Sequence, residues 1–152
     1  MVPDRASLLR RCRASLEARR AEYLAEIAAL DVAAAGETKS SAGDKYETAR
    51  EMIAQSRNLA GRTLAETEAS LLALERMAAA PAGPRVGFGS LVETSAGWFL
   101  VGASLGELEA DDGLKVRTLS LASPLGQILK GRAPGERVEF RGATLVILRL
   151  VR

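Results

Sequence analysis

The chain has 152 residues with 47% hydrophobic and 26% charged side chains, a composition that folds rather than one that stays disordered. Its net charge is +2, balanced as 12 Lys/Arg against 12 Asp/Glu up to residue 82 and 9 against 7 beyond it, so neither part is a phosphate-tracking module and independent DNA binding is not expected. There is no histidine, which excludes Ser-His-Asp and Cys-His catalysis and His-ligated zinc, and the one cysteine, Cys12, excludes an internal disulfide framework.

The N-terminal stretch MVPDRASLLRR lacks the apolar core of a signal peptide, and no apolar run reaches the eighteen residues a membrane span needs. With the lone cysteine, this reads as a cytoplasmic protein without a membrane partner. Residues 4–35 read as one helix. Leu9, Cys12, Leu16, Tyr23 and Leu30 fall on the 3/4 spacing of a coiled-coil seam, with Arg19 and Glu26 as polar interruptions. Cys12 lies in that stripe and reads as a packed thiol. Arg10, Arg11, Arg13, Arg19 and Arg20 lie within helical reach of Glu17, Glu22 and Glu26, so a salt-bridged surface is expected there.

Residues 36–43, with Gly36, Ser40, Ser41 and Gly43, read as the tip of a hairpin. Residues 44–80 read as its second helix, with Ala49, Ile53, Ala60, Leu64, Leu71 and Leu74 on the seam and Ser56 and Thr67 as polar members. A short loop makes the two helices antiparallel. Asp44 and Glu47 stand at the start of the second helix with the spacing of a capping box, Asp in place of Ser or Thr. The same spacing suits a pair of metal ligands, and both readings stay open at this point. Tyr46 either staples the helix start or stacks on a nucleotide, and Lys39, Lys45 and Arg50 are either solvated or meet phosphates.

The prolines and glycine of AAAPAGPR end the helix, and residues 81–85 form a linker from a hairpin domain over 1–80 to a second domain over 86–152. There the period changes to that of strands, over 86–94, 98–104, 114–121, 137–141 and 144–151, with ELEADDG at 107–113 as an exposed acidic loop. Ser123 as N-cap, Pro124 at the first position and Gly131 at the end predict a two-turn helix. The fold class is α+β: a long helical hairpin, then a small antiparallel sheet with one short helix.

Two segments resemble the bacterial GreA/GreB transcription elongation factors, as do the order and lengths of the domains. One is GDKYE, where Gly43, Asp44 and Glu47 match the hairpin tip of that family; the next positions read Thr48, Ala49, Arg50, Glu51 where the family usually has Asn-Ala-Glu-Tyr. The other is SPLGQILKGRAPGERVEF, matched at Ser123, Pro124, Gly126, Leu129, Gly131, Gly135 and Glu136. The resemblance implies a coiled-coil hairpin with an FKBP-like C-terminal domain, acting as a monomer on RNA polymerase. The hairpin would enter the secondary channel, where Asp44 and Glu47 help hold a shared Mg²⁺ for cleavage of backtracked RNA. The RNA 3′ end would be met only inside that complex, by Lys39, Lys45, Tyr46 and Arg50. Ser123, Pro124, Leu125 and Gly126 would touch the polymerase outside the channel. The factor alone would be no enzyme and would bind no cofactor. The few aromatics of the second domain, several of them directed into its core, argue against prolyl isomerase activity. Two alternatives stand beside this: a channel-binding regulator without cleavage activity, and a helical-hairpin interaction module unrelated to polymerase.

Overall fold

The computed structural model describes residues 2–37 and 44–151. Helix α1 spans Arg5–Glu37 and α2 spans Asp44–Ala79, each about 50 Å long at 1.5 Å per residue. Strands β1 (Leu91–Thr94), β2 (Gly97–Gly102), β3 (Glu107–Glu109), β4 (Lys115–Ser120), β5 (Arg137–Phe140) and β6 (Ala143–Val151) follow, with helix α3 (Pro124–Leu129) between β4 and β5. The chain divides into two compact units, Ser15–Leu71 and Met1–Ala14 with Leu72–Arg152.

The Ser15–Leu71 unit holds most of both helices. Arg20 pairs with Glu68 at 3.4 Å and Asp31 with Arg57 at 2.5 Å, so the numbering rises along one helix as it falls along the other. The pair is therefore antiparallel. Leu16, Ala60 and Thr67 are buried, and Tyr23, Ile27, Leu30, Ala34, Ile53, Leu64 and Leu71 are half-buried. The seam departs from the expected one at Arg19 and Glu26, which are both exposed, while Ile27 turns inward. The cause is geometric. A straight helix has 3.6 residues per turn, so a fixed seven-residue spacing drifts round its surface and the next apolar residue takes over. Ser56 is exposed. Thr67 is buried without a loose hydroxyl, because it donates to the carbonyl of Thr63 at 2.8 Å.

In the other unit the strands form one six-stranded sheet in the order β3-β4-β2-β1-β6-β5. The expectation of a wholly antiparallel sheet is corrected here: β2 and β4 run parallel, with Trp98 opposite Val116 and Val101 opposite Leu119. The physical reason is the connection. The segment 103–114 carries β3, which pairs antiparallel with β4 on the outer side, so β4 re-enters beside β2 in the same direction. Part of the stretch expected as an acidic loop is thus an edge strand, whose Leu108 faces Val116 while Lys115 bridges Glu107 and Glu109. The first strand is shorter than the expected 86–94. Gly89 takes φ +85°, and the Ser90 hydroxyl accepts from the N–H of Gly87, so residues 87–90 turn instead of extending.

One face of the sheet, with Val92, Phe99, Val101, Leu145 and Ile147, packs with Val86, Val138 and Leu129 into a core that Leu119, Leu125 and Ile128 complete. Alternation along β2 sends Trp98, Leu100 and Gly102 to the opposite face. There the fully buried Met77 lies so close to Gly102 that a Cβ would stand 2.7 Å from its sulfur. The last turns of α2 therefore close this second face, and Leu91, Leu100 and Val116 are wholly buried.

Candidate functional site

The carboxylate pair singled out in the sequence stands at the start of α2. Asp44 is the first residue of the helix and Glu47 lies three residues on, within the first turn. Carboxylates are favoured at this end of a helix by its positive pole. Glu47, Lys45 and Arg50 are exposed. Lys39 and the side chains of Asp44 and Tyr46 lie outside the described residues.

These two acids have the donor chemistry of a hard cation site, oxygen only. Among the described residues, no group of three or more His, Cys, Asp or Glu could hold a metal ion. Mg²⁺ commonly takes one or two protein carboxylates and fills its remaining positions with water or phosphate oxygen.

The second sequence-derived cluster has local reasons for each residue type. Ser123 caps α3: its hydroxyl accepts from the N–H of Gly126 at 3.0 Å and donates to the carbonyl of Ser120 at 2.6 Å. Pro124 occupies the first helical turn, where no backbone donor is needed. Gly126 is buried, and a Cβ there would lie 2.1 Å from the carbonyl oxygen of Ser120. Leu125 packs against the sheet core. Pro124 is exposed. The 123–126 stretch lies in a different compact unit from Lys45, Glu47 and Arg50.

Several residues that organise the sheet unit carried no local signal. Arg5 donates from Nε to the carbonyl of Gly89 at 2.7 Å and from Nη2 to that of Met77, where α2 approaches its end. Partial burial lowers its pKa from the usual guanidinium value. Asp111, in the acidic stretch, accepts from the Ser7 hydroxyl at 2.5 Å and pairs with Arg11 at 3.2 Å. These partners stand about a hundred residues apart in the chain, so no spacing pattern could pair them. Phe88, expected in a strand, sits in the turn before β1 and is 39% exposed; the flanking Gly87 and Gly89 were its only signal.

Comparison with known proteins returns no match, whether to a family model, to a characterised sequence or to a solved structure.

Proposed function

We infer that the chain is a Gre-like accessory factor of RNA polymerase, whose helical hairpin enters the secondary channel and offers Asp44 and Glu47 to the polymerase active site. The observation that carries this reading is the position of the two acids. They begin the second of two long antiparallel helices, and three metal-ligating residues do not gather anywhere among the described residues. Such a pair is suited to completing another protein's metal site. An Mg²⁺ bound there supplies electrostatic stabilisation to the attacking or leaving oxygen of a phosphodiester hydrolysis. The hairpin contributes reach, since each of its helices is about 50 Å long. Glu47 contributes an exposed carboxylate, and exposed Lys45 and Arg50 meet the charge of an RNA backbone within the complex.

The finer structural reading belongs with this function. The 3/4 seam of Leu16, Tyr23, Ile27 and Leu30 against Ala60, Leu64 and Thr67 supports a coiled-coil arm. The mixed sheet with α3 across one face supports an FKBP-like module that would dock outside the channel, with exposed Pro124 at its contact. Arg50 favours a second reading, a channel-binding regulator without cleavage activity. A guanidinium three residues from Glu47 is within pairing distance on a helix and would compete for the carboxylate.

Binding of the purified chain to core RNA polymerase tests the common part of both readings. A complex that survives gel filtration, and that a hairpin-tip variant weakens, supports them. No complex at micromolar concentrations of both partners would leave the chain a hairpin interaction module of another kind.

A further inference from the structure

The sheet unit carries a second surface with an interaction chemistry of its own. Where α2 ends, an open groove of about 570 Å³ is lined by Arg76, Ala79, Pro81, Arg85 and Phe88. That volume is enough to take several side chains. Its apolar residues are small except Phe88, and no carboxylate lines it. Phe88 is the aromatic with a large exposed surface among the described residues. Among the described residues, Arg76 enters no ion pair or hydrogen bond. Arg85 is steadied by the carbonyl of Gly131 at 2.9 Å and lies 3.9 Å from Glu136, too far for a direct hydrogen bond, so most of its donors remain open. A helix C-terminus ordinarily attracts cations. Here Arg5 donates to Met77 near the end of α2, and Arg76 stands in the last turn of that helix with its guanidinium on the groove.

We propose that this groove docks an acidic peptide segment of a partner protein, one large apolar side chain seated against Phe88 and Pro81 and flanking Asp or Glu residues paired with Arg76 and Arg85. Charge complementarity selects this occupant. Two guanidiniums about an apolar floor, Arg85 with Glu136 only at 3.9 Å, disfavour a basic or neutral segment, because desolvating them without a closer counter-charge is costly. Aromatic and arginine side chains are also the types that dominate binding energy in interfaces. The site belongs to the sheet unit and does not depend on what the hairpin tip does.

The test is selection of a random twelve-residue peptide library on the full chain, followed by titration of the selected peptide by fluorescence anisotropy. The expected consensus is one large apolar residue among acids. Its binding falls about tenfold or more with Arg76→Glu and with Phe88→Ala. It also weakens steadily as salt rises from about 50 to 500 mM. Arg62→Glu, exposed on α2 outside the groove, leaves binding unchanged. Phe88→Ala is used only if its thermal melt matches wild type; Arg76→Glu, at a side chain without partners, keeps the proposal testable if it does not. Selection of no peptide, of basic or uncharged ones, or of peptides indifferent to both variants overturns the proposal. So does concentration-dependent dimerisation abolished by Phe88→Ala, which would assign the groove to a second copy of the chain.

Discussion

Replacing Gly126 by alanine should destabilise the sheet unit, although alanine is the better helix former. Within a helix the exchange ordinarily gains about 1 kcal/mol. At Gly126 the new Cβ would stand 2.1 Å from the Ser120 carbonyl oxygen, 2.9 Å from the Leu121 Cα and 3.0 Å from the Ser120 carbonyl carbon. All three are backbone atoms, so no side-chain rotation relieves the clash. Helix α3 must move away from β4 by about an ångström, which loosens Leu125 and Leu129 in the core and stretches the Ser123 cap. Overpacking of this kind costs about 1–3 kcal/mol and sometimes more. A 2.1 Å contact with backbone belongs at the upper end of that range, about 3 kcal/mol, so the net expectation is a loss of about 2 kcal/mol after the helix gain is subtracted. Urea unfolding followed by Trp98 fluorescence reads this directly, since Trp98 is the single tryptophan and is buried in the same unit. The control is Gly61→Ala in α2, where a Cβ meets nothing within 4 Å and the backbone is ordinarily helical. That exchange should stabilise the helices by about 0.5–1 kcal/mol, read by far-UV circular dichroism. A Gly126→Ala protein as stable as wild type would refute the close approach of α3 to β4.

Arg5→Leu should cost about 1.5–3 kcal/mol in the same urea assay, because it removes charge-assisted hydrogen bonds to the Gly89 and Met77 carbonyls. Arg141→Asn should raise stability by several tenths of a kcal/mol. Arg141 holds φ +50° before Gly142 at φ +78° in the two-residue β5–β6 turn, a geometry asparagine tolerates better, and the ring contact it makes with Phe140 at 4.9 Å offsets part of the gain. The exposed Lys115–Glu109 pair lowers the carboxyl pKa and raises the ammonium pKa. The Glu109 contribution is therefore present above the unfolded carboxyl value and fades as pH falls through the lower folded one. The Lys115 contribution is present below the unfolded ammonium value and fades as pH rises through the higher folded one. A small stability difference between wild type and Lys115→Met should appear near neutrality, shrink below pH about 4 and flatten in high salt, as a pH series of urea midpoints would record.

The helices were legible because Ala, Leu, Arg and Glu favour the conformation and the Gly-Ser break between them is strong. The seam was legible at its apolar members, Leu9, Cys12, Leu16, Tyr23 and Leu30, and failed at Arg19 and Glu26, which are exposed, because a heptad template ignores the drift of a straight helix. The strands other than β3 were recognisable by their alternation, but their pairing was not. The parallel β2–β4 contact depends on where a twelve-residue connection returns, and residue order does not encode that. The acidic stretch looked solvated because its partners, Ser7, Arg11 and Lys115, come from other elements. At the candidate site the two acids were visible as a spacing, and the structure sets them at the start of α2. The groove beside Phe88 was invisible, since it is built from the end of a helix, a linker and a turn.

RNA cleavage in stalled, backtracked elongation complexes tests the functional reading most directly, comparing wild type with Asp44→Asn and Glu47→Gln. Asparagine caps a helix about as well as aspartate, and glutamine serves in a capping box, so both variants keep the helix start. The account predicts Mg²⁺-dependent cleavage stimulated by wild type and lost in both variants, with polymerase binding retained. Wild type that binds polymerase without stimulating cleavage would contradict it, leaving Asp44 and Glu47 as a helix cap on a non-catalytic channel binder.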